Sequence, residues 1–207
     1  WVNASPLSTI DITLPYGVRD GTKFDFENNI TVSPGDIIVL AGVSNMGKTA
    51  FILNLLWNNM DKYPCTLMGN EYYPAKFKRR VGNMDWANPI NPSGIPKFEL
   101  IERHDDWKAI IRPNNINLID WINLPGDQTY LIGKIIEGIQ SQLKDGIAVV
   151  SLQKSVGKEL GVGGGFSQHL ASYYFAIDFE KLTVMKAKEW KGTNPNGKVY
   201  GFQIVDG

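Results

Sequence analysis

Residues 42 to 49 read Gly42-Val43-Ser44-Asn45-Met46-Gly47-Lys48-Thr49, and no other stretch of the chain constrains its fold as tightly. Before it stands Ile37-Ile38-Val39-Leu40-Ala41, a continuous branched apolar run that predicts a strand buried on both faces. After it, Ala50, Phe51, Ile52, Leu53, Leu55, Leu56 and Trp57 predict a helix packed on several sides and ending near Asn58-Asn59. A strand that turns through glycines into a helix is the context in which Gly-x4-Gly-Lys-Thr, the Walker A pattern, cradles phosphates. The glycines let successive backbone N–H groups face one point, and the helix N-terminus adds its positive dipole end. Gly42 through Thr49, with Ala50, are therefore the expected nucleotide-binding residues. Lys48 is expected at the β and γ phosphates and Thr49 at a magnesium ion.

The rest of the chain alternates strand and helix signals. Thr66-Leu67-Met68 predicts a second strand running to Gly69-Asn70-Glu71, and Pro74 suits the first turn of a helix to about Val81. Residues 82–97, broken by Pro89, Pro92 and Pro96, predict a surface excursion. Ile116-Asn117-Leu118-Ile119-Asp120 predicts a third strand. Pro125-Gly126-Asp127 then opens a helix, with Asp127 as the expected N-cap and Leu131, Ile132, Ile135, Ile136, Ile139 and Leu143 on one face. Ile147 to Leu152 predicts a fourth strand, followed by a glycine-rich loop, Gly157 to Gly165. Residues 167–174 predict a short helix and Phe175-Ala176-Ile177 a fifth strand. Leu182 to Lys188 and Val199 to Ile204 alternate, and they predict a hairpin on the sheet edge. The expected architecture is α/β: a mostly parallel sheet with helices on both faces and a C-terminal edge hairpin. Residues 1–33 read as a leading segment left from a longer polypeptide, and residues 34–207 as the domain.

In such sheets ligands sit at the carboxyl ends of the strands, and three further polar residues fall there. Asp120 closes an apolar strand and is the expected second magnesium partner. Glu71 ends the strand after the Walker A helix and is the expected general base for the attacking water, since the position beside Asp120 is Trp121. An acid at a helix start is the other reading of Glu71. Gln153 ends the fourth strand, either as a contact to the γ phosphate or as an ordinary polar strand end.

Taken in order, the Walker A stretch through Phe51, then Asn70-Glu71, then Ile119-Asp120-Trp121, then Ser151-Leu152-Gln153, the chain resembles RecA-like ring ATPases. Among these it is most similar to the DnaB-type replicative helicases and phage primase-helicases, over roughly residues 34–204. The resemblance implies ATP and Mg2+ as cofactors, a nucleotide held between subunits of a hexameric ring, and Glu71 as catalytic base beside Lys48, Asp120 and Gln153. It implies that the loop after Gln153 contacts single-stranded DNA, with Lys154 and Lys158 as backbone contacts; glycines there also fit a disordered loop. It further implies basic residues acting in trans from a Lys-x-Arg stretch on the late hairpin. Here that stretch reads Lys188-Glu189-Trp190-Lys191, so Lys188 matches the lysine while Trp190 stands where arginine is expected, and Lys191 is the available substitute. An exposed basic hairpin is the plainer reading of the same residues.

Composition narrows the partners. With 21 basic and 21 acidic residues the formal charge is zero, so nucleic-acid contact must be local rather than driven by a global field. No apolar run approaches the roughly 20 residues that span a bilayer. A single cysteine, Cys65, fits packing in a reducing compartment, and the expected location is cytoplasmic, in a bacterium or in a host cell. Rival P-loop classes lack their signatures: there is no guanine-reading Asn-Lys-x-Asp after the loop and no arginine after Arg112 for a kinase lid. A RecA- or KaiC-like ATPase that assembles without unwinding is the alternative to a helicase. His104-Asp105-Asp106 reads as a solvated turn rather than a metal cluster.

Overall fold

The computed structural model describes residues 9–15, 30–70, 72–82, 84 and 86–203. The apolar runs form the strands β1 (Ile37–Gly42), β2 (Cys65–Gly69), β4 (Ile116–Ile122), β5 (Ile147–Gln153) and β6 (Tyr173–Asp178), nearly every residue of which is buried. A short strand β3 (Glu99–Glu102) precedes β4, and β7 (Lys181–Ala187) and β8 (Val199–Gly201) follow β6. Together they make one sheet in the order β3-β2-β4-β5-β1-β6-β7-β8. The first six positions in that order pair in parallel, and β7 and β8 are antiparallel.

Alternate side chains of each strand face opposite layers. Ile38 and Leu40 of β1 join Leu67, Leu118, Val149 and Phe175 under helix α1 (Lys48–Asn59). Ile37, Val39 and Ala41 join Met68, Ile119, Val150 and Leu152 under helix α3 (Ile132–Gln140). Helices therefore cover both faces. On α1 the side chains of Ile52, Leu53, Leu55 and Leu56 are fully buried, each contributing about 1.5–3 kcal/mol of hydrophobic stabilisation. Helix α2 (Pro74–Val81) follows β2, and α4 (Gly165–Leu170) precedes β6.

The described part of the leading segment belongs to the same core. Ile12, Leu14, Ile30 and Val32 are buried in the α1 layer. Asn59, which the sequence suggests only as a helix end, is itself fully buried: it accepts the Thr13 N–H at 2.8 Å and donates to the carbonyls of Thr13 and Leu55, each at 2.7 Å.

Three local differences from the sequence expectation have physical causes. Strand β3 directly follows the excursion and was not expected, because Glu-Leu-Ile-Glu is a short, largely exposed edge strand with too few apolar residues to register. The segment after Pro125 begins as a 3-10 turn over Gly126–Leu131 with Pro125 in the cap position, so Asp127 is not the N-cap and α3 starts only at Ile132. Helix α4 stops at Leu170, since Tyr173 and Tyr174 are fully buried strand residues between β1 and β7, where aromatic side chains pack well. The edge hairpin forms, with Lys181 opposite Gly201 and Thr183 opposite Val199, while Ile204 lies outside the described residues.

Candidate functional site

Between β1 and α1 the chain turns through two left-handed residues, Asn45 at φ 61° and Gly47 at φ 92°. Gly47 occupies the N-cap position of α1, and the first turn of the helix carries no acidic residue to neutralise its positive end. At Gly42 a Cβ would lie 2.9 Å from Lys48 Cγ and 3.2 Å from the Ile177 carbonyl, so only glycine lets the lysine stem cross the strand end. The Lys48 ammonium donates to the carbonyls of Gly42 and Val43, both at 2.9 Å, and stands 3.4 Å from Gln153 Oε1. Burial lowers the Lys48 pKa, and the Asp120 carboxylate opposes that shift.

Gln153 is in register with Gly42 on the neighbouring strand. Its amide spans the loop, because Nε2 donates to Ser44 Oγ at 2.9 Å while Oε1 faces Lys48. A glutamine so placed ties Ser44 to Lys48 across the loop.

Asp120 reaches the same site from β4. It is 7% exposed, accepts the Tyr72 hydroxyl on Oδ2 at 2.7 Å, and lies near enough to the Thr49 hydroxyl to feel it electrostatically. Burial pushes its carboxyl above the usual range; the Tyr72 and Thr49 hydroxyls, and the charges of Arg80 and Lys48, pull it back. Immediately after Asp120 the strand bulges: Trp121 has φ 73°, and the β4–β5 register shifts between Ile119 and Ile122. Near this edge two buried polar atoms have no hydrogen-bond partner, Asn70 Oδ1 after β2 and Trp121 Nε1 on β4. Glu71, the expected base, lies outside the described residues.

Thr49 and Asp120 thus stand together as the expected donors to magnesium. An ion that keeps several waters and binds through one or two carboxylates plus phosphates fits this pair. Among the described residues no group of three or more His, Cys, Asp or Glu side chains is gathered as a metal site. His104, Asp105 and Asp106 are exposed, and Arg103 pairs with both aspartates.

The loop after β5 differs from its sequence expectation. Lys154 is not an outward-facing cation: it is 4% exposed and paired with Asp178 at 2.7 Å, and its ammonium also donates to the Lys158 carbonyl at 2.8 Å. The reason is tertiary, since Asp178 ends β6 and meets Lys154 across the end of β1. Lys158 is exposed. The glycines of this loop serve close packing. A Cβ at Gly161 would lie 3.1 Å from Ala41 Cβ, and one at Gly163, with φ 81°, would lie 1.9 Å from Ile132 Cγ2.

Lys188 and Lys191 are exposed at the other end of the sheet. The Lys188 N–H bonds the Ser172 carbonyl, and Ser172 in turn donates its N–H to Ile37 at the start of β1. The length of β1, about 17–20 Å, separates them from the Walker A loop of their own chain. Trp190 bridges Ile30 and is 42% exposed.

Tyr72 is the site residue that the sequence did not indicate. No motif or spacing marks it; the only trace is Gly69, whose missing side chain makes room for its ring. Among the described residues no helix is long and apolar enough to cross a membrane. Compared with known proteins, the chain matches no family model and no curated protein.

Proposed function

We propose that the chain is a RecA-like P-loop ATPase domain that binds ATP with Mg2+ and hydrolyses it, of the DnaB type, acting on single-stranded DNA from a hexameric ring. The observation that carries the reading is the meeting of Lys48, Ser44 and Gln153 at hydrogen-bond range, with Asp120 and Thr49 close beside them. These residues come from the loop after β1 and from α1, β4 and β5, and few purposes other than holding a phosphate chain require a lysine, a hydroxyl, an amide and a carboxylate at one strand-to-helix turn.

In this mechanism the N–H groups from Ser44 to Thr49 and the uncapped end of α1 hold the phosphates. Lys48 would exchange its carbonyl partners for the β and γ oxygens. Bound magnesium supplies charge neutralisation at those oxygens. Thr49 and Asp120 would hold that ion, and Gln153 would contact the γ phosphate or the attacking water. Glu71 takes the proton from that water. Lys188 and Lys191, too far from their own loop to serve it, would act on a neighbouring subunit's nucleotide.

A second reading, an ATPase that assembles and switches without unwinding, is favoured by one observation: Lys154 is committed to Asp178, which leaves Lys158 as the cation of that loop free to meet DNA. ATPase rate measured with and without single-stranded DNA separates the two. Stimulation that falls on Lys158→Ala supports the motor, and no stimulation removes it. Glu71→Gln should keep nucleotide binding and abolish turnover; unchanged turnover would move the base elsewhere.

A further inference from the structure

Asp120 is held by a residue that the reaction scheme above does not use. The Tyr72 hydroxyl donates to Oδ2 at 2.7 Å, Tyr72 is 2% exposed, and the pair connects the segment after β2 to the end of β4. The ring is locked in place. It meets Phe77 of α2 edge to face, with centroids 5.5 Å apart at 87°. It lies so close over Gly69 that a Cβ there would stand 2.6 Å from Cε2 and 2.8 Å from Cδ2 of the ring, and 3.0 Å from the Asp120 carbonyl. Gly69 is also the register partner of Asp120, so the glycine, the ring and the carboxylate form one packed unit.

Beyond Asp120 the backbone gives less guidance, because the next residue is left-handed and the ladder shifts there. The carboxylate direction thus depends on its hydrogen bonds. With Oδ2 held by a rigid phenol, the rotation of the carboxylate is set, and with it the direction of Oδ1.

We propose that Tyr72 is a positioning residue for the magnesium site: it fixes the rotation of the Asp120 carboxylate so that one oxygen faces the ion beside Thr49. The inference rests on the reading of Gly42–Thr49 as a magnesium-nucleotide cradle. Magnesium demands near-octahedral geometry, and partners that orient a ligand carboxylate typically govern 10- to 100-fold of metal affinity.

The test is equilibrium binding of a non-hydrolysable ATP analogue to the full chain, titrated with Mg2+ and repeated in EDTA. Tyr72→Phe, which removes one oxygen and keeps the ring, should raise the half-saturating Mg2+ about tenfold while leaving affinity in EDTA within about twofold. Gly69→Ala, which keeps the hydroxyl and displaces the ring, should give a shift of the same sign, and it decides the matter if Tyr72→Phe does not fold. A Mg2+ curve superimposable on the parent chain overturns the proposal. Equal weakening with and without Mg2+ overturns it too, because that marks a merely structural role. If the parent chain binds no analogue, or binds it without any Mg2+ effect, the cradle reading itself fails, an outcome distinct from a failure of Tyr72.

Discussion

Two glycine-rich loops leave neighbouring strands of this sheet, residues 42–49 after β1 and 154–165 after β5, and their similar composition produces opposite structures. In the first, glycines open space. Gly42 clears the path of the Lys48 stem, and Gly47 turns the chain so that the start of α1 is uncapped and faces the site. In the second, glycines remove space. Gly161 and Gly163 press the loop onto Ala41 and Ile132, and the Gly161 N–H bonds the Tyr174 hydroxyl at 2.8 Å. The two lysines follow suit: Lys48 rests on two backbone carbonyls, while Lys154 is closed into an ion pair. A glycine run therefore does not by itself mean mobility; what a Cβ would strike decides.

This contrast can be broken by substitution, and the largest effect is expected at Gly163. Alanine there adds a left-handed residue and a collision with Ile132, so urea unfolding should show a loss of about 3–4 kcal/mol. A loss under about 1 kcal/mol would mean the loop is not packed down. At Lys48, alanine should cost about 100-fold in affinity for a magnesium nucleotide, on the order of 2.7 kcal/mol for a charge-assisted contact, with little change in unfolding. The mirror-image outcome, lost stability and unchanged binding, would reverse the roles assigned to the two loops.

Asp178→Asn should destabilise by about 2 kcal/mol, below the 3–5 kcal/mol typical of fully buried pairs because the Asp178 side chain is 39% exposed. Lys158→Ala should change stability by less than about 0.5 kcal/mol and lower the salt dependence of single-stranded DNA binding by about one counterion, whereas Lys154→Ala should leave that dependence unchanged. The smallest effect is expected on β2, away from both loops. Burial pushes the Cys65 thiol up to about 12, so at pH 8 the native chain should resist alkylation and react only on unfolding. Rapid native-state labelling would show that β2 is open to solvent.

The sheet itself was legible because its central strands are apolar on both faces, and such runs have few alternatives: Ile37–Ala41, Ile116–Ile119 and Ile147–Leu152 fall inside β1, β4 and β5. The site was legible where a residue closes such a run. Asp120 and Gln153 do so, and both stand at the Walker A loop. Strand β3 was hidden by its exposed glutamates, and the helix expected over 167–174 ran too far because Tyr173 and Tyr174 carry no periodic signal that separates helix from strand. Glu71, placed in the sequence by the same reasoning as Asp120, lies outside the described residues.

By itself the sequence determined that a buried strand feeds a glycine turn and a helix, because apolar pattern and the φ demands of glycine are local properties that the chain carries in order. Only the tertiary structure decided which polar groups meet. Tyr72 is brought to Asp120 across 48 positions and Lys154 to Asp178 across 24, each by the stacking order of strands rather than by any local rule. A hydrogen bond acts over about 3 Å, and residues read along a line mark strand ends without saying which side chains will come within that reach.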